Sequence, residues 1–201
     1  MPLSKLRRIA KALDADLVVS LRWRGADLDR LADEGHARLV GRTTELLRHL
    51  GWDVKIEVSY AEYGERGSID ILAWHRGTRT VLVVEVKTEL TAIEQTLRKH
   101  GEKTRLAERI AAGQLGWRPA IIASLLVLPA RSTARRRVAR HESVMTAAYP
   151  IRGAAVREWL RRPDSPMSGL LHLEDTSPPQ TRTGRKRIRP SCPKVAGSKA
   201  A

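Results

Sequence analysis

The stretch TVLVVEVKTEL, Thr80 to Leu90, decides how this chain is read. Val81, Leu82, Val83 and Val84 are apolar on both faces of a pleat, the pattern of a strand buried inside a sheet. Glu85 and Lys87 then break the run. Successive side chains of a strand point to opposite faces, so Glu85 and Lys87 project together while Val84 and Val86 turn the other way into packing. An acid and an amine side by side at the end of an oily strand call for a chemical reason.

Outward from this strand the period of the sequence sets the neighbours. Upstream, SIDILAWH (68–75) reads as a second strand joined to Thr80 by the turn RGTR. Before it, WDVKIEVSYAEY (52–63) alternates Trp52, Val54, Ile56, Val58 and Tyr60 with polar residues, a half-buried strand that turns at GERG. Asp27 to Leu50 carries apolar residues at a broadly helical period, with Asp27 as its cap and Gly51 as its stop. Downstream, Ala92 to Ala112 predicts a long helix, AIIASLLVL (120–128) a buried strand, and STARRRVARHESV and GAAVREWLRR further helices. The order is helix, three strands, helix, strand, helix. It predicts an α/β fold in which a mixed central sheet, a three-stranded meander plus a further strand, is flanked by helices.

The 201 residues divide into three expected parts: 1–26, a short amphipathic helix over Ser4–Leu13 followed by the strand-like DLVVSLRW; 27–162, the α/β domain; and 163–201, a basic tail rich in Pro, Ser and Gly, expected to be disordered. The formal charge is +15, and phosphate backbones are the commonest partner of such a surface. Thr176 to Ala201 holds seven Lys and Arg and no acid; without them 30 basic residues still face 22 acids, about +8, so the tail does not explain the whole excess. The single cysteine, Cys192, excludes a disulfide framework and a Cys-based zinc site and suits a reducing cytoplasm. The longest apolar run, Ala120–Ala130, is too short to span a bilayer.

The turn RGTR brings Asp70 of the preceding strand toward Glu85. Two buried acids with one amine leave surplus negative charge, which costs several kcal/mol unless something neutralises it. Two carboxylates with a backbone carbonyl, here that of Val86, suit Mg²⁺ or Mn²⁺ rather than Zn²⁺. Such an ion beside an ammonium can polarise a phosphodiester and lower the pKa of a bound water. The plainer reading of Asp70, Glu85 and Lys87 is a salt-bridged strand end.

GSIDILAWHRGTRTVLVVEVKTEL, with Asp70 followed after a hairpin by Glu85-Val86-Lys87, resembles the PD-(D/E)XK nuclease superfamily over roughly Asp27 to Leu128. The resemblance implies a restriction endonuclease-like core and metal-dependent DNA hydrolysis. In it Asp70 and Glu85 would hold the metal and Lys87 would position or activate the attacking water. Glu45, in the preceding helix, matches the extra acid that many members place there; Gln95 matches a downstream Gln of some branches, without its partner Tyr. Ile69 stands where many members carry Pro. A homodimer, two chains pairing to cut both strands, is a further expectation that the sequence leaves open.

Lys103, Arg105 and Arg109 in the helix after this strand, and Arg135 and Arg136 among the basic residues from Arg131 to Arg140, are the candidates for phosphate contact. A solvated helix face explains each of them singly. LSKLRRIAKALDADLVVSLRWRG resembles the last helix and exit strand of Xre-type helix-turn-helix regulators, without the recognition helix. The rival to a nuclease is therefore a non-catalytic DNA-binding transcriptional regulator or accessory protein on the same fold, although drift tends to remove a costly charge cluster once its use is lost.

Overall fold

The structure, a computed structural model, describes residues 3–13 and 26–174. Helix α1 (Leu3–Ala12) matches the expected amphipathic helix; the strand expected at DLVVSLRW and the tail from 175 onward lie outside the described residues. Helix α2 (Ala26–His49) follows, and ends before Gly51, whose φ of 85° is the left-handed conformation that glycine adopts without a Cβ penalty.

Three antiparallel strands come next: β1 (Asp53–Glu62), β2 (Glu65–His75) and β3 (Thr80–Val86). Helix α3 (Ile93–Leu115) crosses over to β4 (Ile121–Pro129), which lies parallel to β3. Helices α4 (Ser132–Arg140) and α5 (Glu142–Ala148), the two-residue strand β5 (Ile151–Arg152), α6 (Ala154–Arg161) and β6 (Ser168–Leu173) complete the domain. The result is a six-stranded mixed sheet in the order β1-β2-β3-β4-β6-β5 with helices on both faces. This is the α/β architecture expected of a buried apolar strand followed by a crossover helix.

Periodicity assigns the layers. Leu82, Val84 and Val86 of β3 pack with Leu39 and Leu47 of α2 and Leu160 of α6, while Val81 and Val83 pack on the other face with Leu106, Ala107 and Ile110 of α3. A third cluster joins Leu126 and Leu128 of β4 to Val138 of α4 and Met145 of α5. All seven residues of β3 are buried. As the centre of the sheet it fixes where anything at its end must point.

One expectation needs correcting. The Pro and Ser residues of PDSPMSG suggest that the domain ends at 162, yet the sheet runs on to Leu173. β6 pairs with β4 on one side and β5 on the other, and Leu171 is 1% exposed in the cluster that also holds Val84 and Val127. Six residues sufficed because SGLLHL supplies three leucines to a sheet interior. The Leu171→Ala variant should lose about 2–5 kcal/mol of stability, the range for a buried leucine truncation. A urea midpoint unchanged from that of the unaltered chain would place β6 outside the cooperative unit.

Candidate active site at the end of strand β3

The β2–β3 ladder stops at the Ile71–Val84 pair. Continued one step, it would set Asp70 opposite Glu85, but here the strands part. The Val86 N–H donates instead to Asp70 Oδ2 at 2.7 Å. The carboxylate thus replaces a lost rung of the sheet, and a backbone donor fixes one of its oxygens. On the other side of β2 the ladder also skips: β1 and β2 pair from Asp53–Trp74 to Glu62–Glu65 without the Glu57–Asp70 pair. Glu57 has φ 53°, a left-handed conformation that costs a non-glycine residue of the order of 1–3 kcal/mol. Side-chain alternation changes phase there, since Ile69 packs toward α3 and Ile71 toward α2 although they are two residues apart. Asp70 therefore sits where regular pairing is interrupted on both sides.

Glu85 and Lys87 project together, as the pleat requires. Lys87 Nζ lies 2.7 Å from Glu85 Oε1, with the Glu85 side chain 3% exposed and that of Lys87 38%. The other oxygen of Glu85, Oε2, is 2.5 Å from Lys103 Nζ, which is also 3.7 Å from Asp70 Oδ1. Lys103 comes from α3, whose buried residues Thr96, His100, Lys103, Ala107 and Ile110 recur every three or four positions. It occupies a place in the stripe where leucine would otherwise face the sheet. Burial raises the Glu85 carboxyl, but the charge and hydrogen bond of Lys103, joined by those of Lys87, outweigh it and hold Glu85 below the usual carboxylate range.

The charge count differs from that read in the sequence. Two acids meet two amines, not one, and the group is formally neutral. Lys103, assigned to phosphate contact from its sequence, is buried and committed to these carboxylates; the period of α3 was the signal that would have found it. Asp70 Oδ1 and Glu85 Oε2 nonetheless both face one cation, the Lys103 ammonium, at 3.7 and 2.5 Å, and two carboxylate oxygens about one positive charge are a donor set whose chemistry fits a hard cation. Among the described residues no group of three or more His, Cys, Asp or Glu side chains forms a metal-binding cluster.

The remaining candidates are scattered. Gly35 marks the turn of α2 that meets this strand end: a Cβ there would be 3.5 Å from Thr88 Cγ2. Glu45 stands ten residues further along, about 15 Å by helical rise. It is exposed and lines a separate groove with His49, Arg157 and Glu174. A period of 3.6 does not reveal which turn of a 24-residue helix crosses the strand end, and that is why the sequence pointed to Glu45. Arg105 grips Glu65 through both carboxylate oxygens at 2.7 and 2.9 Å. Arg109 pairs with Glu62 at 3.0 Å, lies over the Tyr63 ring and donates to its hydroxyl. Both arginines tie α3 to the β1–β2 turn.

Two hollows adjoin at Glu89. One, of about 450 Å³, is walled by Tyr60, Arg66, Ser68, Gln95 and Lys99 and floored by Glu85, Lys87 and Lys103. Gln95, whose match was the weakest of the set, does line it. Tyr60 donates to Glu102 at 2.9 Å, and burial, with Glu102 adding to it, pushes its hydroxyl up to about 12. The other hollow, of about 410 Å³, is lined by Thr88, Leu90, Thr133, Arg136, Arg137 and Arg140. Arg137 Nη1 donates to the Leu90 carbonyl at 3.1 Å and so anchors α4 to the loop after β3. Arg135 is exposed on α4 without lining either hollow. No protein-family model matches this chain, and no curated protein is similar to it at a significant level.

Behind the charged group, His100 is 1% exposed. Its Nε2 is 3.2 Å from the Val83 carbonyl, which only accepts, so that nitrogen carries the proton and Nδ1 accepts from the Tyr149 hydroxyl at 2.7 Å. Burial lowers its pKa, partly opposed by the Val83 carbonyl. The folded chain keeps the imidazole neutral where the unfolded chain, with an ordinary value near 6.5, takes up a proton. Stability from this residue is full above that value and falls as the pH drops below it. Urea unfolding across this range should show a steeper acid loss for the unaltered chain than for His100→Gln, by up to about 1.4 kcal/mol per pH unit. Identical slopes would mean that His100 protonates in the folded state.

Glu85→Ala leaves Lys103 buried without its nearest partner, and should cost about 3–5 kcal/mol. Adding Lys103→Met should recover much of that loss in chemical denaturation. Strictly additive losses would show that the two side chains are not energetically coupled.

Proposed function

We propose that this chain is a metal-dependent phosphodiester hydrolase acting on DNA, an endonuclease on a restriction endonuclease-like core of the PD-(D/E)XK type. The observation that carries the reading is the convergence of Asp70 Oδ1 and Glu85 Oε2 on one cationic point, with the Lys87 ammonium on the opposite oxygen of Glu85. The element order, a helix, three antiparallel strands, a crossover helix and a parallel strand, supports it. So does the basic excess of the chain.

In this reading Asp70 and Glu85 hold Mg²⁺ or Mn²⁺, with the Val86 segment completing the cradle. When bound, the ion supplies Lewis-acid stabilisation of a phosphoryl oxygen and makes a bound water more acidic. Lys87, the most open of the four charged groups, faces the hollow, where it orients the attacking water and meets the charge that develops on phosphate. Arg66 on one flank and Arg136 and Arg140 on the other contact backbone phosphates next to the site.

A second reading has an observation of its own. The four charged groups are paired and neutral without any ion, as befits a DNA-binding regulator or accessory protein that keeps the fold without turnover. The two separate in one assay. Supercoiled plasmid with Mg²⁺ or Mn²⁺ should be nicked or cut by the unaltered chain, with activity reduced at least about a hundredfold in Lys87→Ala, the lower end of what a positioned proton-transfer group contributes. Salt-sensitive DNA binding that Glu85→Gln leaves intact, with plasmid unbroken across both metals, would sink the hydrolase and leave the regulator.

A further inference from the structure

We infer that Lys103 is a resident counter-cation: its ammonium holds the cation position between Asp70 and Glu85 until a divalent ion takes that position and turns Lys103 out into the cleft. The inference rests on the proposed metal site and concerns how this chain keeps that site before an ion arrives.

Three observations lead to it. Lys103 Nζ stands 2.5 Å from Glu85 Oε2 and 3.7 Å from Asp70 Oδ1, so among the described residues it is a cation shared by both strand carboxylates. It comes from a helix, while the two acids are set by the sheet, one of them through the Val86 amide. The ammonium can therefore move without disturbing the carboxylates. Finally, Lys103 is buried yet borders the hollow that also exposes Lys87, so a turn about its four-carbon stem carries the ammonium into open space.

The exchange also changes the field of the site. With Lys103 in place the two acids and two amines cancel. A divalent ion in its position, with Lys87 unmoved and Lys103 beside the cleft, leaves a net positive centre that attracts a phosphate. Ion and phosphate would then favour each other's binding by the same factor, as linkage requires. The resident lysine thus opposes metal binding in the absence of DNA and supplies a phosphate contact in its presence.

The test uses the full chain with Mn²⁺ as the only added ion. Acetylation of lysines followed by peptide mass spectrometry should find Lys103 protected without metal and labelled at saturating Mn²⁺, while Lys5 and Lys11 on α1 label equally in both. The Lys103→Met variant should melt at a lower temperature than the unaltered chain without metal. It should also bind Mn²⁺ at least about tenfold more tightly by calorimetry, because the ion no longer displaces a bound charge. Lys103→Gln, which keeps a polar head, serves if Met does not fold. Mn²⁺ that binds the unaltered chain while Lys103 stays protected, or that binds the variants no more tightly, overturns the inference and leaves the metal site standing. Absence of Mn²⁺ binding to every form, with DNA left uncut, overturns both.

Discussion

The Asp70 carboxylate accepts the Val86 amide at the point where β2 and β3 separate, and the rest of the site depends on that substitution. A sheet that splits leaves backbone donors without partners, and a buried orphan N–H costs as much as a lost hydrogen bond. Asp70 removes that cost at one donor and in doing so becomes part of the sheet, with one oxygen immobilised and the other free to face a cation. The strained backbone of Glu57 on the neighbouring strand has a place in the same geometry, because the β1–β2 ladder skips its pair with Asp70 and the alternation of side chains resets there. What presents the acid is the interruption of regular pairing, not a loop added to the fold.

Glu85 illustrates the opposite problem. It is held near the end of a fully buried strand, where a carboxylate is tolerated only with compensating partners. Two arrive from different directions, Lys87 from the same strand face and Lys103 from the crossover helix. Their combined effect keeps the acid ionised in spite of burial. The neutral quartet therefore accounts for its own persistence, and the stability of the group says nothing by itself about catalysis. What a purely structural quartet leaves unexplained is its position: three of its members, Glu85, Lys87 and Lys103, line an open hollow that meets the basic hollow of α4 at Glu89. Structural ion clusters have no need of an approach path of that kind.

Much of this was legible in the residues. The run of Val and Leu over β3 and its interruption at Glu85 and Lys87 gave the central strand, its buried faces and the shared direction of the two charges. The turn RGTR gave the hairpin, and with it the proximity of Asp70. The signals that failed were those in which local composition hid a long-range partner. Lys103 looked like surface charge because helical phase, not residue type, places it against the sheet. Glu45 matched in kind but not in position, since the crossing point of α2 is set by the twist of the sheet. β6 looked like tail because proline and serine precede it, although three leucines in six residues are enough for an interior strand once β4 and β5 supply its hydrogen bonds.

The distribution of intramolecular pairs also narrows where a polyanion could lie. Lys103, Arg105 and Arg109 all rise from α3, and each is held by an acid of the β-sheet or its turn. An exposed ion pair is worth little, about 0–1 kcal/mol, so the two arginines could exchange partners at small cost. They nonetheless stand at the β1–β2 turn, past the hollow. Besides Lys87 and Lys103, the basic side chains that border these two hollows are Arg66 and Lys99 on one side and Arg136, Arg137 and Arg140 of α4 on the other, with Glu89 between them. A phosphate backbone that followed this charge would cross the end of β3 and pass over Lys87. On the proposed function, the charge that would hold a strand and the charge that would act on it come from different elements. The first lies on flanking helices and the strand edge, while Glu85 is set by the buried central strand and Lys87 follows directly from it.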